Sequence, residues 1–578
     1  MTGPAAPKDP EKARPFFYIL KDKDIFGERQ KDGTGIQFIY ESDGRLINSA
    51  QITGNVTDKE ELTLLETVEG FGRLVHSIGV SVETDRPEET AEFVFQMYGK
   101  KDLYGGGTNL TASLKCDGME HRIYLSDYRW TEDDHVPGQI KILFAAPERM
   151  GKVSVRLFLN DGYEAPPEEE DLVIDMHSEE YCGMISRSLL QLGNPYRIRK
   201  AIEKSKAGKE VTLAYIGGSI TQGAGAIPIH TECYAYKSFQ LFQNRFSTQN
   251  NVRFIKAGVG GTPSELGMIR FDRDVLREGE RPDIVVIEFA VNDEGDETKG
   301  VCYESLVRKV LKLPWKPAVV LLFSVFANDW NLQERLRPVG DLYDLPMVSI
   351  RDAVTPQFSL KCGEGRILSK NQFFYDIFHP NNIGHTIMAD CLQYLFERCD
   401  AAEPARVGTF VEGMTEEQIL SEKLSGPAVI GADFERIFLL DKKNRYVGAK
   451  IRAGGFTSTD MELQSVEMDG NLTQTPEFPY NWMYDGSRLQ MPGFEMEITC
   501  KSLFLIFKDS GEMDVGKANV FVNDVYCMTA DPHKNNWLHC NAVLLFWKTE
   551  SRSHKVRIAV TEEDRNKKFT ILGFGYTI

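Results

Sequence analysis

In Asp376-Ile377-Phe378-His379-Pro380 an acid stands three residues ahead of a histidine, close enough to hold the imidazole in one orientation as a general base. The base needs a client, and Ser219 is the candidate. It lies in Gly217-Gly218-Ser219-Ile220-Thr221, directly after the apolar run 211–216, where a buried strand would give way to a loop and a helix. A serine hydroxyl is a weak nucleophile at neutral pH, so it needs a base within hydrogen-bond reach and the base needs an orienting carboxylate. Serine, histidine and aspartate together point to acyl transfer. Each piece alone has a plainer reading: Asp-x-x-His as a surface turn, Gly-Gly-Ser-x-Thr as a tight turn after a strand. The serine does not sit in the G-x-S-x-G elbow of α/β-hydrolases.

Two further segments fall at the ends of apolar runs. Ala257-Gly258-Val259-Gly260-Gly261-Thr262-Pro263 is rich in small residues, which let backbone N–H groups approach an anion. It fails as a dinucleotide fingerprint, because Pro263 stands where the third glycine belongs. Ile287-Glu288-Phe289-Ala290-Val291-Asn292-Asp293 places Asn292 at the carboxyl end of a strand, where ligands gather in open α/β sheets. Its amide could donate to a developing oxyanion; Asn292-Asp293 could equally be a helix cap or turn.

Taken jointly and in this order, the four segments resemble the SGNH hydrolases, also called GDSL esterases and lipases. The resemblance covers about residues 178–400. It implies Ser219 as nucleophile, Asp376 and His379 as its partners, and an oxyanion hole made by the N–H of Ser219, Gly261 and Asn292, with Gly260 adjacent to the glycine position. Gly218 departs from the family's common Gly-Asp-Ser, and Gly-Gly-Ser-Ile-Thr variants resemble members acting on acetylated carbohydrates.

These motifs require a parallel sheet to carry them. From about Ser178, β and α patterns alternate, with buried-strand candidates at Val211–Ile216, Val252–Ala257, Ile284–Phe289 and Val319–Phe323. Helical patterns are expected at 185–206 and 383–398. Residues 16–173 read as short alternating strands such as Gln139-Ile140-Lys141-Ile142-Leu143-Phe144, and strands return beyond about 403. The expected fold is therefore a multidomain chain with a central α/β three-layer sheet flanked by two β-sandwich, jelly-roll-like units. The divisions are 1–15 as a disordered N-terminus, 16–177 as a carbohydrate-binding-like sandwich, 178–402 as the catalytic unit and 403–578 as a second sandwich.

The chain's 578 residues exceed what one core usually organises. A formal net charge of -18 disfavours nucleic acid and anionic membranes as partners. No run of about 18 apolar residues is visible, and residues 1–15 lack the apolar stretch of a signal peptide. The ten cysteines are scattered without a C-x-x-C pair, so a cytoplasmic address with reduced thiols is expected. No metal or organic cofactor is expected.

Flanking sandwiches resemble carbohydrate-binding modules, for which Tyr128, Trp130, Tyr480, Trp482, Tyr484 and Trp537 are candidate aromatic platforms, although core packing is the commoner fate of such residues. Trp482 stands out because its surroundings read as a loop. His230, Tyr234 and Trp330 are further candidates for the substrate pocket. The expectation is a serine esterase removing O-acetyl groups from plant-type oligosaccharides such as xylan or mannan fragments. Lipid or aryl esterase activity, or a carbohydrate-binding protein with a non-catalytic core, are the alternatives. The oligomeric state is open, a homo-oligomer included.

Overall fold

The computed structural model describes residues 12–40, 45–54, 56–101, 105–168, 170–277, 279–402, 414–467, 474–487 and 491–578. Residues 1–11, most of the stretch expected to be disordered, lie outside the described residues.

The N-terminal part places two antiparallel sheets over one core. Phe16–Phe26, Met150–Leu159, Val75–Thr84 and His121–Tyr124 form the first, in that order. Glu28–Arg29, Gly35–Tyr40, Asp134–Phe144, Thr90–Gly99 and Asn109–Lys115 form the second. Alternation does the sorting: Val153, Val155 and Leu157 of one sheet meet Phe93, Phe95, Ile140 and Ile142 of the other. Helices Arg45–Gly54 and Val68–Leu74 interrupt what reads as all-strand sequence, their Leu46, Ala50, Phe71 and Leu74 filling the same core.

The middle of the chain forms a six-stranded sheet ordered Leu189–Gln191, Met347–Ser349, Ala318–Phe323, Ile284–Glu288, Val211–Gly217, Val252–Gly258. Every pair is parallel except the first. The central strands are apolar on both faces because both are covered, while the edge strand Val252–Gly258 also carries Arg253 and Lys256. Val211, Leu213 and Tyr215 point into a core with the helices Tyr196–Lys206, Tyr234–Phe246 and Asn382–Ala401. Ala214 and Ile216 point into another with Ser264–Phe271 and Val301–Leu311. The helix expected over 185–206 is two helices, Glu179–Ser186 and Tyr196–Lys206, split by a short strand. Gly193 explains the break: it takes φ +56°, and a Cβ there would lie 2.4 Å from the Leu345 carbonyl carbon.

The C-terminal part differs from a pair of separate sheets. Phe438–Leu440, Phe569–Thr577, Phe494–Asp509, His539–Val560, Ala518–Val522 and Val525–Ala530 hydrogen-bond in that order into one sheet, to which Ala449–Arg452 and Trp482–Tyr484 add. Its long strands carry hydrogen bonding continuously around the core. Register shifts near Cys500 and Leu503 swap faces along Phe494–Asp509. Met496, Ile498 and Cys500, then Leu503, Leu505 and Phe507, serve the sheet's own core. Phe504 and Ile506 turn the other way and join Leu266, Met268 and Phe271 beneath the α/β sheet. The two units thus share apolar core. Among the described residues no helix is long and apolar enough to cross a membrane, and all ten cysteines are unpaired.

Candidate active site

The serine strand Val211–Gly217 is wholly buried and ends at Gly218, from which the short turn Ser219–Gln222 starts. Parallel pairing sets Gly217 level with Gly258 on one side and Glu288 on the other. The three glycine- or asparagine-bearing segments therefore leave the sheet at the same edge. Behind the serine, Thr221 Oγ1 donates to Glu288 Oε2 at 3.0 Å and accepts from Tyr234 Oη at 2.8 Å. Burial pushes the Glu288 carboxyl up to about 7, partly offset by that hydrogen bond.

His379 arrives from the loop before helix Asn382–Ala401. The loop is closed on itself by Tyr375 N–H donating to His379 O at 2.8 Å and by a bridge between Phe374 and Pro380. His379 Nε2 is 3.0 Å from Ser219 Oγ. His379 Nδ1 is 2.9 Å from Asp376 Oδ2 and 3.0 Å from Oδ1. Asp376 Oδ1 also accepts the backbone N–H groups of Phe378 (2.8 Å) and His379 (2.9 Å). Burial alone would raise this carboxyl, but its pairing with His379 and these hydrogen bonds outweigh it and hold it below the usual carboxylate range. With Nδ1–H on the carboxylate, Nε2 is free to take the serine proton.

Asn292 lies beside the serine turn, its side-chain amide against Gly218. A Cβ on Gly218 would come 2.2 Å from Asn292 Oδ1 and 2.5 Å from Nδ2. This accounts for glycine where an aspartate is common: the amide occupies the space of a side chain. Asn292 makes no capping bond to the turn Asp293–Gly295, and its Oδ1 is buried without a partner among the described residues. Asp293 has a separate structural task, accepting Ser264 N–H at 2.7 Å. Burial, with Asp296 and Glu265 nearby, raises its carboxyl to about 8.

Gly260 and Gly261 follow the strand Val252–Gly258, and a Cβ at Gly260 would lie 3.9 Å from Ser219 Cβ. Gly261 has φ +71°, and a Cβ there would strike Trp537 Cζ2 at 2.8 Å. Ser219, Asp376, His379, Asn292, Gly260 and Gly261 are thus brought to one place.

The proposed pocket residues divide. Trp330 stacks on Phe326 (5.8 Å), which meets Phe378 edge-on (5.1 Å), so it reaches the His379 loop through an aromatic series. Tyr234 is fully buried beneath the serine turn and lines no cleft. His230 is half-buried in the loop before Tyr234–Phe246. Trp482 corrects the expectation of a loop platform: it opens the strand Trp482–Tyr484, is 5% exposed, and packs on Phe494 and Phe574. Tyr484 and Trp130 are likewise core residues. Tyr128 is tied to the Thr111 backbone, and Tyr480 carries Lys443 over its ring. Trp537, 45% exposed, is the platform candidate that stands at the site.

Sequence reasoning missed four residues. Lys23, from the N-terminal sheets, is buried and donates to the carbonyls of Asn371 (3.3 Å) and Phe374, at the root of the His379 loop. Gln464, His539 and Asp509, from the C-terminal part, reach the Gly260-Gly261 loop. None sits in a motif, and each acts across more than two hundred residues of chain or through a partner that does, so local pattern carried no signal.

Residues 215–387 match the model of the GDSL-like Lipase/Acylhydrolase family. Among solved structures, a two-domain esterase (CEX) active on acetylated mannans aligns with a TM-score of 0.54 and 24% identity, over 68% of this chain and 98% of that one. The same esterase co-crystallised with mannopentaose gives a TM-score of 0.53 and 24% identity over the same shares. At this identity the likeness establishes a shared fold, which takes in nearly all of the two-domain chain and leaves about a third of this one outside. No curated protein matches the chain.

Proposed function

We propose that this chain, whose residues 215–387 form a GDSL-like lipase/acylhydrolase domain, is a serine esterase that removes O-acetyl groups from plant-type oligo- or polysaccharides, xylan or mannan fragments among them. The observation that carries the proposal is the hydrogen-bonded series from Ser219 Oγ through His379 to Asp376, at 3.0 and 2.9 Å. In this reading His379 Nε2 takes the Ser219 proton as Oγ bonds to the acetyl carbonyl carbon. The oxyanion is met by the N–H groups of Ser219 and Gly261 and by the Asn292 amide. The sugar oxygen leaves with the proton from His379, and water, deprotonated by the same ring, releases acetate and restores the serine.

Support for a sugar substrate comes from three sides. The solved esterase of like fold acts on acetylated mannans, the serine block has the Gly-Gly-Ser-Ile-Thr form, and Trp537 offers an exposed aromatic face beside Gly261. The flanking β-units, 16–177 and 403–578 around a catalytic unit at 178–402, are read as jelly-roll-like accessory units. Ten unpaired cysteines suit a reducing, cytoplasmic setting.

The test is acetate release from acetylated manno- and xylo-oligosaccharides, with 4-nitrophenyl acetate and butyrate alongside, for wild type and Ser219→Ala. Release from glycans that vanishes in the variant supports the proposal. Preference for the longer acyl chain would move the substrate to lipid or aryl esters, and undiminished release by Ser219→Ala would overturn the mechanism.

A further inference from the structure

The oxyanion loop is held from outside its own domain. Gln464 Nε2 donates to the Gly260 carbonyl at 2.8 Å, and the orientation of the Gln464 amide is set by Cys540 N–H, which donates to its Oε1 at 2.9 Å. The next carbonyl, that of Gly261, faces His539 Nε2 at 3.1 Å, and His539 Nδ1 faces Asp509 Oδ2 at 2.9 Å. Asn535 Nδ2 donates to the same Asp509 oxygen at 2.5 Å, so the carboxylate is itself anchored. Gln464, His539 and Asp509 are all buried.

The consequence follows from the peptide plane. The Gly260 carbonyl and the Gly261 N–H belong to one trans peptide and point in opposite directions. A Cβ at Gly260 would lie 2.9 Å from Gln222 Oε1, 3.7 Å from Gln464 Nε2 and 3.9 Å from Ser219 Cβ, so Gly260 stands between the C-terminal part and the serine turn. Gripping the peptide's carbonyl fixes the direction of its N–H. Donation to the carbonyl also polarises the amide and strengthens the opposite end as a donor. The His539–Asp509 pair fixes the following peptide in the same way, which holds Gly261 at its left-handed φ of +71°.

We propose that Gln464 and the His539–Asp509 pair are positioning residues for the reaction: the C-terminal part builds the oxyanion hole by holding the peptides on either side of Gly261, rather than serving only as a sugar-binding appendage. This inference rests on the esterase reading above and deepens it.

The experiment measures kcat and KM on 4-nitrophenyl acetate for the full chain, its Gln464→Glu and Gln464→Met variants, and Ser219→Ala. Gln464→Glu keeps an oxygen for Cys540 N–H and replaces the donor facing Gly260 with an acceptor. An interaction felt only in the transition state shows in kcat, so kcat should fall roughly 10- to 100-fold while KM changes less than about threefold. A second pair reads the other contact and covers poor folding of the first: His539→Leu should lose kcat, whereas His539→Gln, which keeps a donor of similar reach, should recover most of it. Unchanged kcat in both Gln464 variants, or a loss in His539→Leu that His539→Gln does not relieve, overturns the inference. If Ser219→Ala itself retains turnover, the esterase reading has failed instead.

Discussion

Replacing Gly218 by alanine isolates one methyl group at the centre of the proposed oxyanion hole. The backbone there has φ −86°, so left-handed geometry is not the reason for glycine. The reason is space: the added Cβ would lie 2.2 Å from Asn292 Oδ1, whereas ordinary contact begins at 3.4 Å. The amide must retreat by about 1.2 Å, more than the ~1 Å misplacement that typically costs 100-fold in rate. Complete loss of one such donor costs about 100- to 1,000-fold in kcat, or about 2.7–4 kcal/mol. Gly218→Ala should therefore lower kcat on 4-nitrophenyl acetate by roughly 100-fold with little change in KM. Asn292→Ala should lower it by a similar or larger factor. The decisive figure is their coupling. Asn292→Ala removes the three atoms nearest to the new methyl group, all of them in the Asn292 amide, so adding Gly218→Ala to it should cost less than about threefold. Multiplicative losses in the double variant, or full activity in Gly218→Ala, would show that the amide does not act where the contact places it.

Two further outcomes follow from buried polar groups. Asp293 has its carboxyl raised to about 8 by burial, so its contribution to stability is full below the unfolded-state value near 4 and is lost as pH rises through about 8, at up to about 1.4 kcal/mol per pH unit; thermal midpoints of Asp293→Asn measured from pH 5 to 8.5 should fall less steeply than those of wild type, and parallel curves would refute the assignment. Lys23→Met leaves the carbonyls of Asn371 and Phe374 without their ammonium donor, at a cost of about 1–3 kcal/mol, and should lower both the unfolding midpoint and kcat, whereas an unchanged kcat would separate the N-terminal sheets from the His379 loop.

How much of this was legible in the residue order depends on range. The strands Val211–Gly217, Ile284–Glu288 and Ala318–Phe323 announce themselves as apolar runs followed by polar or small residues, because a parallel strand covered on both faces needs little that is polar until its carboxyl edge; the edge strand Val252–Gly258 is marked less plainly, with Arg253 and Lys256 inside it. The carboxyl edge of the sheet is where Ser219, Gly260, Gly261 and Asn292 meet, and Asp376-x-x-His379 is compact enough to be read as a unit. The break was legible in Gly193-Asn194-Pro195, a run of turn residues that stops one helix and opens the next, and the Leu345 backbone, far off in sequence, adds the constraint that no side chain fits at Gly193. Trp482 misled because a strand of three residues has no period to detect, and burial by Phe494 and Phe574 is a tertiary fact. Lys23, Gln464 and His539 were invisible for the same reason: each donates to a backbone carbonyl of another unit, and a carbonyl acceptor leaves no mark in sequence.

The central claim is that Ser219 is the nucleophile activated by His379. The most direct measurement is to label the protein with a fluorophosphonate, digest it, and locate the adduct by mass spectrometry. The account predicts a single modified peptide carrying the adduct on Ser219, with labelling lost in Ser219→Ala and slowed at least 100-fold in His379→Ala, as befits removal of the base. An adduct on another serine, or esterase activity that persists while Ser219 stays unlabelled, would contradict it.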